Sequence, residues 1–73
     1  MSYNKFKQVI IENSDSKIYN DAIQEWEYIG EFKTKEFDEC ICGKKIKNII
    51  IINNKLNKNN LHIGSSCLNM IVG

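Results

Sequence analysis

The apolar positions of the chain fall into short clusters separated by polar turns, and the period within each cluster assigns it an element. Phe6-Lys7-Gln8-Val9-Ile10-Ile11 contains β-branched residues and stops at the turn-forming Asn13-Ser14-Asp15-Ser16, which predicts a short N-terminal strand over 6–11. Ile18, Ala22, Trp26 and Ile29 then recur at i, i+4, i+8 and i+11, the buried stripe of an amphipathic helix of roughly fourteen residues. Ser14 or Asp15 is placed to cap its start, and Gly30 its end. Tyr19 and Ile23 widen the stripe; they either pack on the N-terminal strand or stay free as a docking surface.

Glu31 to Glu39 reads as a charged connector whose Phe32 and Phe37 fold back onto the core. The β-branched run from Lys45 to Ile52 predicts a strand buried in part on both faces. Asn53 to Asn60 forms a turn and Leu61-His62-Ile63 a returning strand, which together make a hairpin. Gly64-Ser65-Ser66 breaks that strand and offers Ser65 or Ser66 as N-cap of a last helix over 67–72, with Cys67 in its first turn.

Length changes how these elements are read. A chain of 73 residues holds one domain, here expected over 1–73, with the strand and helix of 1–39 packing on 40–73. A core this small is expected to need a staple. Three cysteines cannot all pair within one chain, and Cys40-Ile41-Cys42 is too tight for an ordinary disulfide, so a shared metal ion is the better staple.

The order of elements supports that choice. A cysteine turn closed by Gly43, a hairpin, and a helix bearing Cys67 in its first turn is the layout of a treble-clef zinc finger. The expected class is α+β: a zinc-stapled, treble-clef-like domain with an N-terminal strand and amphipathic helix in front. Structural zinc takes four ligands, and Cys40, Cys42 and Cys67 supply three. His62, the sole histidine, is one candidate for the fourth; Asp38, Glu39 or a water are the others. Against His62 stands its alternation with Leu61 and Ile63, which turns it away if they face the core. The bland reading of the same thiols is that of small buried hydrophobes.

Cys40-Ile41-Cys42-Gly43, Ile46, Asn54-Lys55-Leu56-Asn57 and Ile63-Gly64-Ser65-Ser66-Cys67-Leu68, with Trp26 and Gly30 ahead of them, form a set. This set resembles a family of small zinc-finger-like proteins and domains of large DNA viruses and phages. The resemblance implies a treble-clef-like zinc site without an established activity. Members often carry histidine two residues after the second cysteine; here Lys44 stands there and cannot replace it.

Charge separates the functional classes. Net charge is +1, but all nine acidic residues precede Cys40, while Lys44, Lys45, Lys47, Lys55 and Lys58 follow it unopposed. One expectation is a non-catalytic adaptor or subunit that docks on a protein partner, as a monomer or an oligomer. The alternative is a nucleic-acid-binding finger using those five lysines. Arginine is absent and no aromatic lies among the lysines, which counts against base reading and base stacking. Lysine-only basicity, absent proline and abundant Ile and Asn are the usage of an adenine- and thymine-rich coding sequence, so lysine and asparagine clusters carry less weight here. Catalysis is not expected, since a chain this small has little room for a substrate pocket. No small-molecule substrate or membrane contact is expected either: the first residues lack the apolar stretch of a signal peptide and no run is long enough to span a bilayer. The location implied is cytoplasmic, where thiols stay reduced.

Overall fold

The structure is a computed structural model and describes residues 2–72. Its elements are α1 (Ser2–Glu12), α2 (Tyr19–Ala22) continued by a single 3-10 turn (Ile23–Glu25), β1 (Trp26–Glu39), β2 (Lys45–Asn54), β3 (Asn60–Ile63) and α3 (Ser65–Val72). The strands form one antiparallel sheet in the order β1-β2-β3, so the isoleucine-rich β2 is central, as its two-sided apolar character requires. Among the described residues no helix is long and apolar enough to cross a membrane.

The C-terminal half follows the sequence pattern. The β2–β3 hairpin pairs Ile50 with Ile63 and Ile52 with Leu61, placing Ile50, Ile52 and Ile63 in one buried layer. α3 begins at Ser65, two positions before the expected start at Cys67, so both expected caps, Ser65 and Ser66, lie inside the helix, and Gly64 precedes it and accepts the amides of Cys67 (3.0 Å) and Leu68 (3.2 Å).

The N-terminal half differs in three respects. Residues 6–11 lie in α1 and are not a strand. Phe6 and Ile10 stack on one helix face and are both fully buried, while Lys5, Lys7, Gln8 and Glu12 face solvent. Tertiary burial of that pair outweighs the strand propensity of Val9-Ile10-Ile11. The helix ends where the Asn13 amide group donates to the Val9 carbonyl (2.9 Å) and the Ser14 hydroxyl to that of Ile10 (2.5 Å).

The fourteen-residue helix is the second correction. Only its middle is helical, because the chain turns into β1 at Trp26. Ala22 and Trp26 of the expected stripe are buried, but its ends, Ile18 and Ile29, are 65% and 51% exposed. Two forces redirect the chain. The carboxylate of Glu25 is buried and accepts the amides of Asp15 (2.8 Å) and Ser16 (2.8 Å) and the side-chain amide of Asn54 (2.9 Å). The Asn54 donor, followed by the Ser16 and Asp15 amides, holds Glu25 below the usual carboxylate value against the opposing effect of burial. Beside it, the open edge of β2 takes residues 26–39 as a partner, from Trp26 opposite Asn54 to Glu39 opposite Lys45.

The charged connector is therefore β1, the third correction. Ile29 is an extra residue in its pairing, and Thr34–Phe37 bulge out between the Lys33–Asn48 and Asp38–Ile46 pairs. Gly30 sits within this strand and ends no helix. Phe32 and Phe37 do not fold back onto the core. They lie exposed, Phe32 edge-on to His62 (6.0 Å) and Phe37 beneath the Lys47 ammonium (4.7 Å). Tyr19 and Ile23, in contrast, pack on the core, so they leave no free docking stripe.

The core is one cluster: Phe6, Ile10, Ala22, Trp26, Ile50, Ile52 and Ile63 together with all three cysteines. Trp26 buries its ring and donates its Nε1–H to Ser14 Oγ (2.8 Å), which satisfies its only polar atom.

Candidate metal centre

Cys40 and Cys42 belong to the turn that joins β1 to β2. The Gly43 amide donates to the Cys40 carbonyl (2.8 Å) and the Cys40 amide to the Lys44 carbonyl (2.8 Å), which folds the chain tightly enough to aim both thiols the same way. Gly43 closes that turn at φ 93°, a conformation that side chains with a Cβ rarely adopt. Cys67 comes from the first turn of α3. Its approach depends on Gly64: a Cβ there would stand 2.8 Å from Ile46 Cγ2, so only glycine lets the helix start this close to β2. The Ile41 amide reaches the His62 carbonyl (3.3 Å) and ties the turn to β3.

These constraints bring three buried sulfurs together. All lie within 4.8 Å of one another, and Cys40 Sγ is 3.6 Å from Cys67 Sγ. Thiolates about 2.3 Å from a tetrahedral zinc stand about 3.8 Å apart, whereas bonded sulfurs lie at about 2.0 Å. The spacing is that of ligands around a shared ion, and the three thiols are a small cysteine cluster consistent with a divalent metal site. No family model, curated protein or solved structure matches the chain. The centre is read from its own geometry.

That geometry favours charge at the sulfurs once a cation is present. The amides of Cys42 and Gly64 point at the Cys40 sulfur, and that of Lys44 at the Cys42 sulfur. Without a cation, burial pushes the thiols of Cys40 and Cys67 above their ordinary value, and at Cys67 the two neighbouring thiols push further. At Cys42 burial acts in the same direction but is outweighed by the Lys44 amide and the other two thiols, leaving it lowered. A divalent ion reverses this balance, because the negative sulfurs then face a positive charge. The sign of the linkage follows. Thiols raised in the metal-free fold are protonated at neutral pH, so an incoming ion displaces at least the protons of Cys40 and Cys67 and binds more tightly as pH rises. Calorimetry in buffers of different ionisation enthalpy is expected to show that proton release at pH 7; binding heats independent of buffer would contradict it.

Of the other candidate ligands, none joins the cluster. His62 is 45% exposed and turns its Nδ1 to Asp38 Oδ2 (3.1 Å), and it is not among the mutually close ligand atoms of Cys40, Cys42 and Cys67. Asp38, held below the usual carboxylate value first by the Glu39 amide and then by that histidine, is engaged there and not at the sulfurs. Glu39 is exposed and pairs opposite Lys45. The alternation of His62 with Leu61 and Ile63 was the signal for this outcome. His62→Ala is accordingly expected to keep its full metal complement, measured as bound zinc per chain; loss of the ion would place the imidazole at the centre after all.

The lysines do not form one patch. Lys44, Lys45 and Lys47 stand at the cysteine end of β2, and Lys55 and Lys58 beyond its opposite end, eight or more residues along the chain from them, or about 26 Å at the usual rise. Sequence reasoning missed Lys5, whose ammonium lies 3.5 Å from the point where a Cβ on Gly43 would be. No local signal connects residues so far apart in the chain. It also missed Glu25, although a carboxylate between Ala22 and Trp26, on the apolar side of the expected helix, was the cue.

Proposed function

We propose that the chain is a non-catalytic zinc-binding module of the treble-clef kind, acting as a small adaptor or subunit on a protein partner in a compartment where thiols stay reduced. The observation that carries this reading is the convergence of Cys40, Cys42 and Cys67 from a glycine-closed turn and a helix start, with sulfur spacing suited to zinc. The resemblance of the segment from Cys40 to Leu68 to viral and phage zinc-finger-like proteins agrees with it. A non-catalytic role is supported by the pocket beside the thiols, which has room for about 90 Å³ and is lined by no carboxylate or imidazole, against some 300 Å³ or more for ordinary ligand sites. For a protein partner, support comes from Ile29, Phe32 and Phe37, apolar side chains left exposed along β1.

Native mass spectrometry of the zinc-reconstituted chain tests the reading. One zinc per chain, lost together with the mass shift on chelation, is expected; a chain that takes up no zinc when its thiols are reduced refutes it. The nucleic-acid alternative is narrowed to Lys5, Lys44, Lys45 and Lys47 at the cysteine end, since Lys55 and Lys58 lie far from them. It requires a mobility shift of labelled DNA or RNA that weakens steeply with salt.

A further inference from the structure

The three thiols leave one corner of a tetrahedral ion unfilled, and the surroundings of that corner have a definite chemistry. Cys40, Cys42 and Cys67 share a pocket of about 90 Å³ with Lys44, Ile46, Gly64, Ser65 and Ser66. No histidine or acidic side chain lies in that lining. Its volume holds one small donor group and excludes anything the size of a nucleotide. One wall is apolar, formed by Ile46 and the Cα of Gly64, while Lys44 and the two serines supply the polar side.

Charge narrows the donor further. A divalent ion with three thiolates carries one net negative charge. The ammonium of Lys5 lies beside Gly43, next to the cysteine turn, and the exposed Lys44 borders the pocket, so two cations stand in the neighbourhood of the thiols. Cations near a centre that carries one net negative charge favour an anionic fourth donor over a neutral water. A carboxylate is a harder donor, less suited to an ion already held by three thiolates. A thiolate has one donor atom, suits an ion already held by sulfur, and places an apolar carbon beside the isoleucine.

Resting on the zinc-site reading above, we infer that the fourth position of the metal is open in the isolated chain and accepts a thiolate from outside it, a small thiol or a cysteine side chain of a partner. The step is a ligand exchange: the incoming thiol releases its proton to solvent, its sulfur bonds to the metal, and a bound water leaves. No electron is transferred.

Cobalt(II) in place of zinc reports this directly, since sulfur-to-cobalt charge transfer counts the thiolates. The full-length chain is loaded with one cobalt and titrated with 2-mercaptoethanol in one arm and with a short N-acetylated peptide bearing a single cysteine in the other. A saturable rise of the charge-transfer band by about one third, as a fourth thiolate joins three, is expected with cobalt still bound at one per chain. A response to the peptide shows that the position admits a partner's cysteine side chain, whether or not 2-mercaptoethanol also binds, and a response to 2-mercaptoethanol alone restricts it to a small thiol. Lys44→Ala is expected to raise the half-saturating thiol concentration about three- to five-fold, the worth of a partly exposed ion pair, while Lys58→Ala at the far end of β2 leaves it unchanged. A spectrum indifferent to both thiols with cobalt retained overturns the open position, and so does stripping of cobalt without the rise. A chain that shows no thiolate–cobalt band before any thiol is added fails earlier, at the metal site itself.

Discussion

Cys67→Ser is expected to abolish zinc binding and to unfold the segment from the Cys40 turn to the end of α3. The substitution exchanges one buried atom for a slightly smaller one, so its direct packing cost is modest. What it removes is the sole ligand that α3 contributes, leaving two thiols from one turn to hold the ion. Structural zinc sites in small fingers contribute on the order of ten kcal/mol of apparent folding free energy at neutral pH, as much as the whole stability of a typical small domain. Hydrogen exchange with the zinc-reconstituted chain as reference checks the prediction. Amides of the Cys40–Lys44 turn and of α3 should lose protection in the variant, matching the wild type after chelation. Retained protection together with retained zinc would show that two cysteines suffice and that Cys67 is an ordinary core residue.

The second large effect concerns the opposite end of the chain. Phe6→Ala is expected to lower stability by about 3–5 kcal/mol in a urea titration, the range for emptying a fully buried phenylalanine site. Phe6 belongs to the same core cluster as the cysteines, so the loss should be felt cooperatively and not as fraying of α1 alone. A change below about 1 kcal/mol would mean that the helix is not docked as described.

Both predictions depend on parts of the fold that differ in how far they can be read from sequence. The Cys40 turn, the hairpin and the start of α3 were legible because their determinants are local: a glycine after the second thiol, four consecutive isoleucines, and a glycine-serine break before Cys67. α1 was not, for a specific reason. Phe6 and Ile10 are four apart, a spacing that satisfies a helix and an alternating strand equally, and the β-branched neighbours tipped the reading to a strand. What decides the matter is the surface they meet, which is contributed by residues far along the chain.

β1 was misread for a related cause. Ile18, Ala22, Trp26 and Ile29 fit a helix in isolation, but a strand at 26–39 exists because the edge of β2 is there to pair with it. The bonds between Glu25 and Asn54 span almost the same distance in sequence. Nor are the asparagines of the β2–β3 turn mere coding bias: Asn57 and Asn59 both donate to the carbonyl of Asn13 (2.9 and 3.2 Å) and pin that turn to the loop after α1. The cysteine cluster was legible in the sequence, whereas the pocket beside it was not, since Lys44, Ser65 and Ser66, which line it with the thiols, are not conventional zinc ligands.

The two irregularities in β1 reach beyond the fold of a single chain. Four isoleucines in a row are the kind of segment that stacks into fibrils when a flat strand is left open beside it. Here that run is held between neighbours, one outer strand is only four residues long, and the other is bent at Ile29 and again at Thr34–Phe37. Neither rim offers another molecule a long straight template. Trimming the second bend away would straighten one rim, and the variant's hazard would then be amyloid, not loss of zinc.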